Sequence, residues 1–127
     1  MKTPPKISIV VITLNNQRTI EKCLQCIVSQ NYPKNLVELL NVDGGSTDLT
    51  KGILKRYGFK VIESKIKRNA EAQRAIAIRK AKNNLIVSID ADNYLPTKQW
   101  IKQMIKPFID DPEIIHAGTM HFRYSKK

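Results

Sequence analysis

Leu85-Ile86-Val87-Ser88-Ile89-Asp90-Ala91-Asp92 is an apolar run that ends in two carboxylates one residue apart. The branched side chains and polar flanks predict a buried strand. Such a strand brings paired carboxylates to the rim of a sheet, a common way to hold a hard divalent cation. Mg2+ favours one or two carboxylates plus substrate phosphates over an all-protein cage. Leu39-Leu40-Asn41-Val42 does something similar: it leads to Asp43, and Gly44-Gly45-Ser46-Thr47-Asp48 follows as a turn opening into a helix. Two strand ends with carboxylates point to a site for a phosphorylated ligand and its metal.

Strand and helix signals alternate outward from these runs. Ile7–Ile12 is a β-branched strand, and the polar turn Thr13-Leu14-Asn15-Asn16 offers N-caps for a helix carrying Cys23 and Cys26. That helix stops near Asn31, because Tyr32-Pro33 disfavours continuation. Val37–Val42 is the second strand. Ser46 or Thr47 is expected to cap a second helix, with Asp48 against its dipole and Gly58 as its stop. Phe59–Glu63 reads as a third strand, Asn69–Lys82 as an Ala-rich third helix, and Leu85–Ile89 as the fourth strand. Pro96-Thr97 introduces a helix with Trp100, Ile101, Met104, Ile105 and Phe108 at helical spacing, which Pro107 limits or kinks. Glu113–Gly118 begins another strand.

This alternation predicts one α/β domain over residues 1–127, a mainly parallel sheet with helices on both faces. Ligands of such sheets sit beyond the carboxyl ends of the strands, where strand order reverses. Thr13, Asp43 and Asp90–Asp92 all fall just after predicted strands, on that one edge.

With 127 residues, of which 42% are hydrophobic, the chain can bury a real core. Lys and Arg number 22 against 11 Asp and Glu, a formal charge of +11 that favours anionic partners: nucleotide phosphates, nucleic acid or an acidic membrane face. The basic residues read as spread along the chain, with mild clusters at 65–68, 79–82 and 126–127. A nucleic-acid-binding domain is disfavoured, since no aromatic platform or helix-turn-helix signal is present. The N-terminal residues run straight into a strand, leaving no room for a signal peptide, so the expected compartment is the cytoplasm. Cys23 and Cys26 form a C-x-x-C on a helix face without a second ligand pair, and read as packed thiols. His116 and His121 read as structural.

Each site residue has an assigned chemistry. Asp43 suits hydrogen bonds from a base imide or ribose hydroxyls. Asp92, with Asp90, suits Mg2+ or Mn2+ bridging two phosphates. Arg74 on the third helix suits a pyrophosphate, and the Gly44-Gly45 pair lets backbone approach a ligand closely.

These motifs, in register from about Lys6 to about Gly118, resemble the nucleotide-binding half of family 2 glycosyltransferases, inverting enzymes of the Rossmann-like GT-A fold. Ser8–Asn15 is similar to their opening strand and Thr-x-Asn turn, Val42–Asp48 to their acidic Gly-Ser-Thr-Asp motif, and Ser88–Asn93 to their Asp-x-Asp motif. Arg74 matches the arginine on the helix before the metal strand. The resemblance implies that Thr13, Leu14, Asn15, Asp43 and Gly44 face the nucleoside. It places Arg74 at the phosphates, Asp90 and Ala91 at the ribose or donor sugar, and Asp92 at the metal. The implied donor is a UDP-, GDP- or dTDP-sugar. Four positions depart from the family pattern: Ile12, Leu14, Asn16 and Gly44.

Family members continue into an acceptor-binding half that carries the general base; here Thr119–Lys127 alone follow the last predicted strand. Asp110 and Asp111 do not match the base's position. The resemblance therefore implies a donor-binding domain completed by more chain, a partner or a dimer, and its acceptor is open. The alternative is a non-catalytic nucleotide-binding or scaffold module of the same descent.

Overall fold

A computed structural model describes residues 3–111 and Glu113. Its elements run β1 (Ile7–Thr13), α1 (Ile20–Val28), β2 (Val37–Asp43), α2 (Thr50–Arg56), β3 (Lys60–Glu63), α3 (Ala70–Lys80), β4 (Leu85–Ser88) and α4 (Trp100–Asp110). The strands form one parallel sheet in the order β3-β2-β1-β4. Strand order reverses between β1 and β4, so the rim beyond Thr13 is the place where this topology leaves a crevice.

β1 alternates sides, as a strand must. Ile7, Ile9 and Val11 meet α1 through Ile20, Leu24 and Ile27, α2 through Leu54, and α4 through Ile101 and Ile105. Val10 faces the other way, with Leu40, Val42 and Ala77 of α3. Helices thus cover both faces, as the alternation predicted. Truncating a fully buried side chain such as Leu24 to Ala costs about 2–5 kcal/mol, since transfer and cavity terms add.

Helix ends show where local chemistry agrees with the sequence reading and where it does not. Gly58 (φ 87°) ends α2. The Phe59 amide donates to the Leu54 carbonyl and the Gly58 amide to that of Lys55, the paired bonds of a Schellman stop. Phe59 belongs to this stop, so β3 starts one residue later than expected. Asn69 caps α3 by accepting from the Ala72 amide at 3.0 Å. Ser46 and Thr47 do not cap α2. It starts at Thr50 after Leu49, with the Thr50 amide on Asp48 Oδ1 at 2.9 Å. Nor does the Thr13–Asn16 turn cap α1, which starts at Ile20 without a side-chain cap. α4 passes through Pro107 to Asp110, further than expected. The strand expected over Glu113–Gly118 and both histidines lie outside the described residues, Glu113 excepted.

Candidate functional site

The parallel register sets Thr13 beside Asp43 at the rim. Asp43 is fully buried, and both its oxygens are engaged. Oδ1 accepts the Thr13 hydroxyl at 2.7 Å and the Ser46 hydroxyl at 2.6 Å; Oδ2 accepts the Gly45 amide at 3.0 Å and the Ser46 amide at 2.7 Å. Four donors match the roughly four lone-pair sites of a carboxylate. Burial opposes its charge, but the bonds from Ser46, Thr13 and Gly45 outweigh it and hold the Asp43 carboxyl below the usual range.

The two rim loops are bonded to one another. The Asn15 amide donates to Ser46 Oγ at 2.8 Å, and Asn15 Oδ1 accepts from the Thr47 amide at 2.8 Å. The Asn16 amide donates to Thr50 Oγ1 at 2.8 Å. Asn15 adopts φ 52°, a left-handed conformation that asparagine tolerates better than most residues. Ser46 is therefore unavailable as a helix cap, which explains the late start of α2.

Two buried amides that the sequence did not mark complete this corner. Asn41 Nδ2 donates to the Val11 carbonyl at 2.8 Å and to Thr13 Oγ1 at 3.0 Å, which leaves the Thr13 proton directed at Asp43. Gln73 of α3 donates from Nε2 to the carbonyls of Thr13 at 2.9 Å and Val42 at 3.0 Å, clamping α3 onto both strand ends. Gln73 also explains Gly44, because a Cβ there would stand 2.6 Å from Gln73 Oε1. A polar residue on the inward face of an otherwise Ala- and Ile-rich helix was the available signal.

The sequence reading gave Asp43 and Thr13 direct contacts with a nucleoside. Both side chains are buried and hydrogen-bonded to their neighbours, at the floor of the rim. Gly44 is buried as well, and Leu14 is half-buried, its amide held by Asn16 Oδ1 at 2.7 Å.

Beyond β4 the arrangement is open. Asp90 and Asp92 are exposed on either side of Ala91, which is buried in the core and pins the turn down. The Asp90 carbonyl accepts the Asn93 amide at 3.0 Å and the Cys23 thiol at 3.5 Å. Burial first, then the nearby Cys26, Asp92 and Asp90, push the Cys23 thiol up to about 12, so it remains a protonated donor. Both cysteines are free, Cys23 buried and Cys26 half-buried, as packed thiols should be. Arg74, next to the clamped Gln73, reaches Glu71 Oε1 at 3.2 Å and Asp90 Oδ1 at 3.8 Å. α3 thus carries the guanidinium to the acidic turn.

Among the described residues no three His, Cys, Asp or Glu side chains gather into a metal cage. Two solvent-facing carboxylates on one short turn instead fit a hard cation that keeps water or phosphate oxygens in its shell.

The model of the glycosyl transferase family 2 matches residues 8–127. The glycosyltransferase AglE of Haloferax volcanii is 27% identical over 96% of this chain and 41% of its own length. The poly(ribitol-phosphate) β-glucosyltransferase of Bacillus spizizenii is 35% identical over 76% of this chain and 16% of its own. Among solved structures, the mannosyltransferase PcManGT of Pyrobaculum calidifontis, in complex with GDP-Man and Mn2+, superposes with a TM-score of 0.79 at 27% identity, covering 87% of this chain and 34% of that one. TarS of Staphylococcus aureus in complex with UDP-GlcNAc gives 0.72 at 29% identity, over 83% and 31%. This chain thus spans well under half the length of these relatives. Sheet order, helix placement and the match over nearly all of its residues together show that the chain belongs to glycosyltransferase family 2, with the GT-A fold.

Proposed function

We propose that this chain is the donor-binding part of an inverting glycosyltransferase that uses a UDP-, GDP- or dTDP-sugar with Mg2+ or Mn2+. The observation that carries the reading is the juxtaposition of Arg74 with the exposed Asp90-Ala91-Asp92 turn, beside a rim braced by Asp43. Solved relatives in complex with GDP-Man and Mn2+ and with UDP-GlcNAc support it.

In this reading Asp92, with Asp90, would hold the cation, which when bound would supply Lewis-acid stabilisation for a leaving nucleoside diphosphate. Arg74 exchanges part of its contact with Asp90 and Glu71 for paired bonds to the phosphates. Asn15 and the half-buried Leu14 border the nucleoside from the β1 side, on the floor made by Thr13, Asp43 and Gly44. Inversion also needs a base at the acceptor hydroxyl. Asp110 and Asp111 lie at the far end of α4, and we assign the base to another part of the polypeptide or to a partner chain.

Titration calorimetry with UDP, GDP and dTDP, with and without Mn2+, tests the reading on wild type and Asp92→Ala. The expected result is Mn2+-dependent binding of one nucleotide that Asp92→Ala abolishes. Binding of none overturns the reading. Nucleotide binding without donor turnover, with acceptors supplied, selects the non-catalytic module instead.

A further inference from the structure

The positive charge is concentrated in one contiguous stretch of the chain. Residues 60–82, which make β3, the loop after it and α3, hold eight Lys or Arg against Glu63 and Glu71. Both acids are already paired, Glu63 with Lys51 at 3.4 Å and Glu71 with Arg74. Residues 3–59 and 83–113 together hold ten Lys or Arg against nine Asp or Glu, close to balance. Lys65, Lys67, Arg68, Arg79, Lys80 and Lys82 are all exposed, and none joins an ion pair among the described residues.

Two isoleucines stand out among these cations. Ile66 in the loop is 56% exposed and Ile78 on α3 is 59% exposed. On α3, Ala75, Ile78 and Arg79 share the outward side at helical spacing, while Gln73 and Ala77 are the buried positions. This outward side is neither amphipathic packing nor a uniformly charged solvated face.

We infer that the β3–α3 face docks on the surface of an anionic lipid bilayer. Unpaired Lys and Arg are drawn to acidic headgroups, and exposed isoleucines among them enter the boundary between headgroups and acyl chains. A soluble polyanion would use the cations and leave the isoleucines idle; the pairing of the two favours the bilayer. The loop also touches the donor rim: the Arg68 amide donates to the Gly44 carbonyl at 3.0 Å, and the Lys67 stem would lie 3.3 Å from a Cβ at Gly45. Docking there keeps the rim beside the headgroup layer. The inference rests on charge and exposure, and stands apart from the donor reading.

Vesicle flotation tests it, with phosphatidylcholine alone and with phosphatidylcholine–phosphatidylglycerol mixtures. The wild type is expected to float only with the anionic vesicles, less so at high salt. Each Lys or Arg near an anionic surface contributes roughly fivefold, so Lys65→Gln, Arg79→Gln, Lys80→Gln and Lys82→Gln combined weaken binding by about a hundredfold or more. A control with Lys6→Gln, Lys55→Gln, Lys98→Gln and Lys102→Gln carries the same net charge and is expected to stay within about twofold. Ile66→Ser with Ile78→Ser is expected to weaken binding about tenfold at unchanged charge. Equal losses in the two lysine variants would overturn the inference, reducing it to net charge. Indifference to the isoleucines, with heparin binding as tightly as vesicles, would overturn it in favour of a soluble polyanion. UDP and GDP titrations with Mn2+ on the four-fold patch variant, whose substituted residues lie outside the donor site, report separately on the donor reading.

Discussion

At the β1–β2 end of the rim, Thr13, Asp43 and Ser46 are buried and the Asp43 carboxylate is fully used inside the protein. At the β4 end, Asp90 and Asp92 stand in solvent, and Asp90 meets Arg74 only at 3.8 Å. The same residue type stands in opposite surroundings at the two ends of the rim. A buried, four-fold hydrogen-bonded carboxylate fixes backbone, because leaving its donors unpaired costs more than the bonds gain. An exposed one, weakly paired, keeps its lone pairs for a ligand at little cost to stability.

If the first corner is scaffold, damage there appears as lost stability before any ligand is added. Asp43→Asn turns an acceptor into a donor facing two amides or two hydroxyls, and is expected to cost about 3 kcal/mol in urea unfolding. Gly44→Ala forces Gln73 off its bonds to Thr13 and Val42, with an expected cost of about 2 kcal/mol by thermal or urea melts. The second corner should behave the other way. Arg74→Gln is expected to leave stability within about 0.5 kcal/mol while weakening nucleotide–Mn2+ binding about tenfold in calorimetry.

The pH dependence sharpens the same contrast. The depressed Asp43 carboxyl stabilises the fold fully above the ordinary aspartate value near 4. That contribution is lost as pH falls through the lower value of the folded state. Asp43→Asn should therefore flatten the acid limb of the stability curve, a change read from urea midpoints across an acid series.

Much of this was legible in the sequence. β1 and β4 announced themselves as β-branched runs, Gly58 and Asn69 as helix ends, and the alternation as a parallel sheet whose rim carries the acids. What failed did so because its cause lies far along the chain. Ser46 and Asn15 looked like helix caps, but each is bonded to the other's loop some thirty residues away. Asn41 carries no local pattern, and the polar Gln73 on the inward face of α3 is a signal that does not name its partners, carbonyls on neighbouring elements. The charge excess over residues 60–82 can be counted in the sequence; what the fold adds is that Glu63 and Glu71 already have partners and that Ile66 and Ile78 are exposed among the cations. Pro107 warned of a helix end that the fold overrides.

Urea unfolding of ligand-free Asp92→Asn beside Asp43→Asn and wild type tests the division of the rim most directly. The predicted result is Asp92→Asn within about 0.5 kcal/mol of wild type and Asp43→Asn lower by about 3 kcal/mol. A large loss in Asp92→Asn, or an Asp43→Asn as stable as wild type, would contradict it.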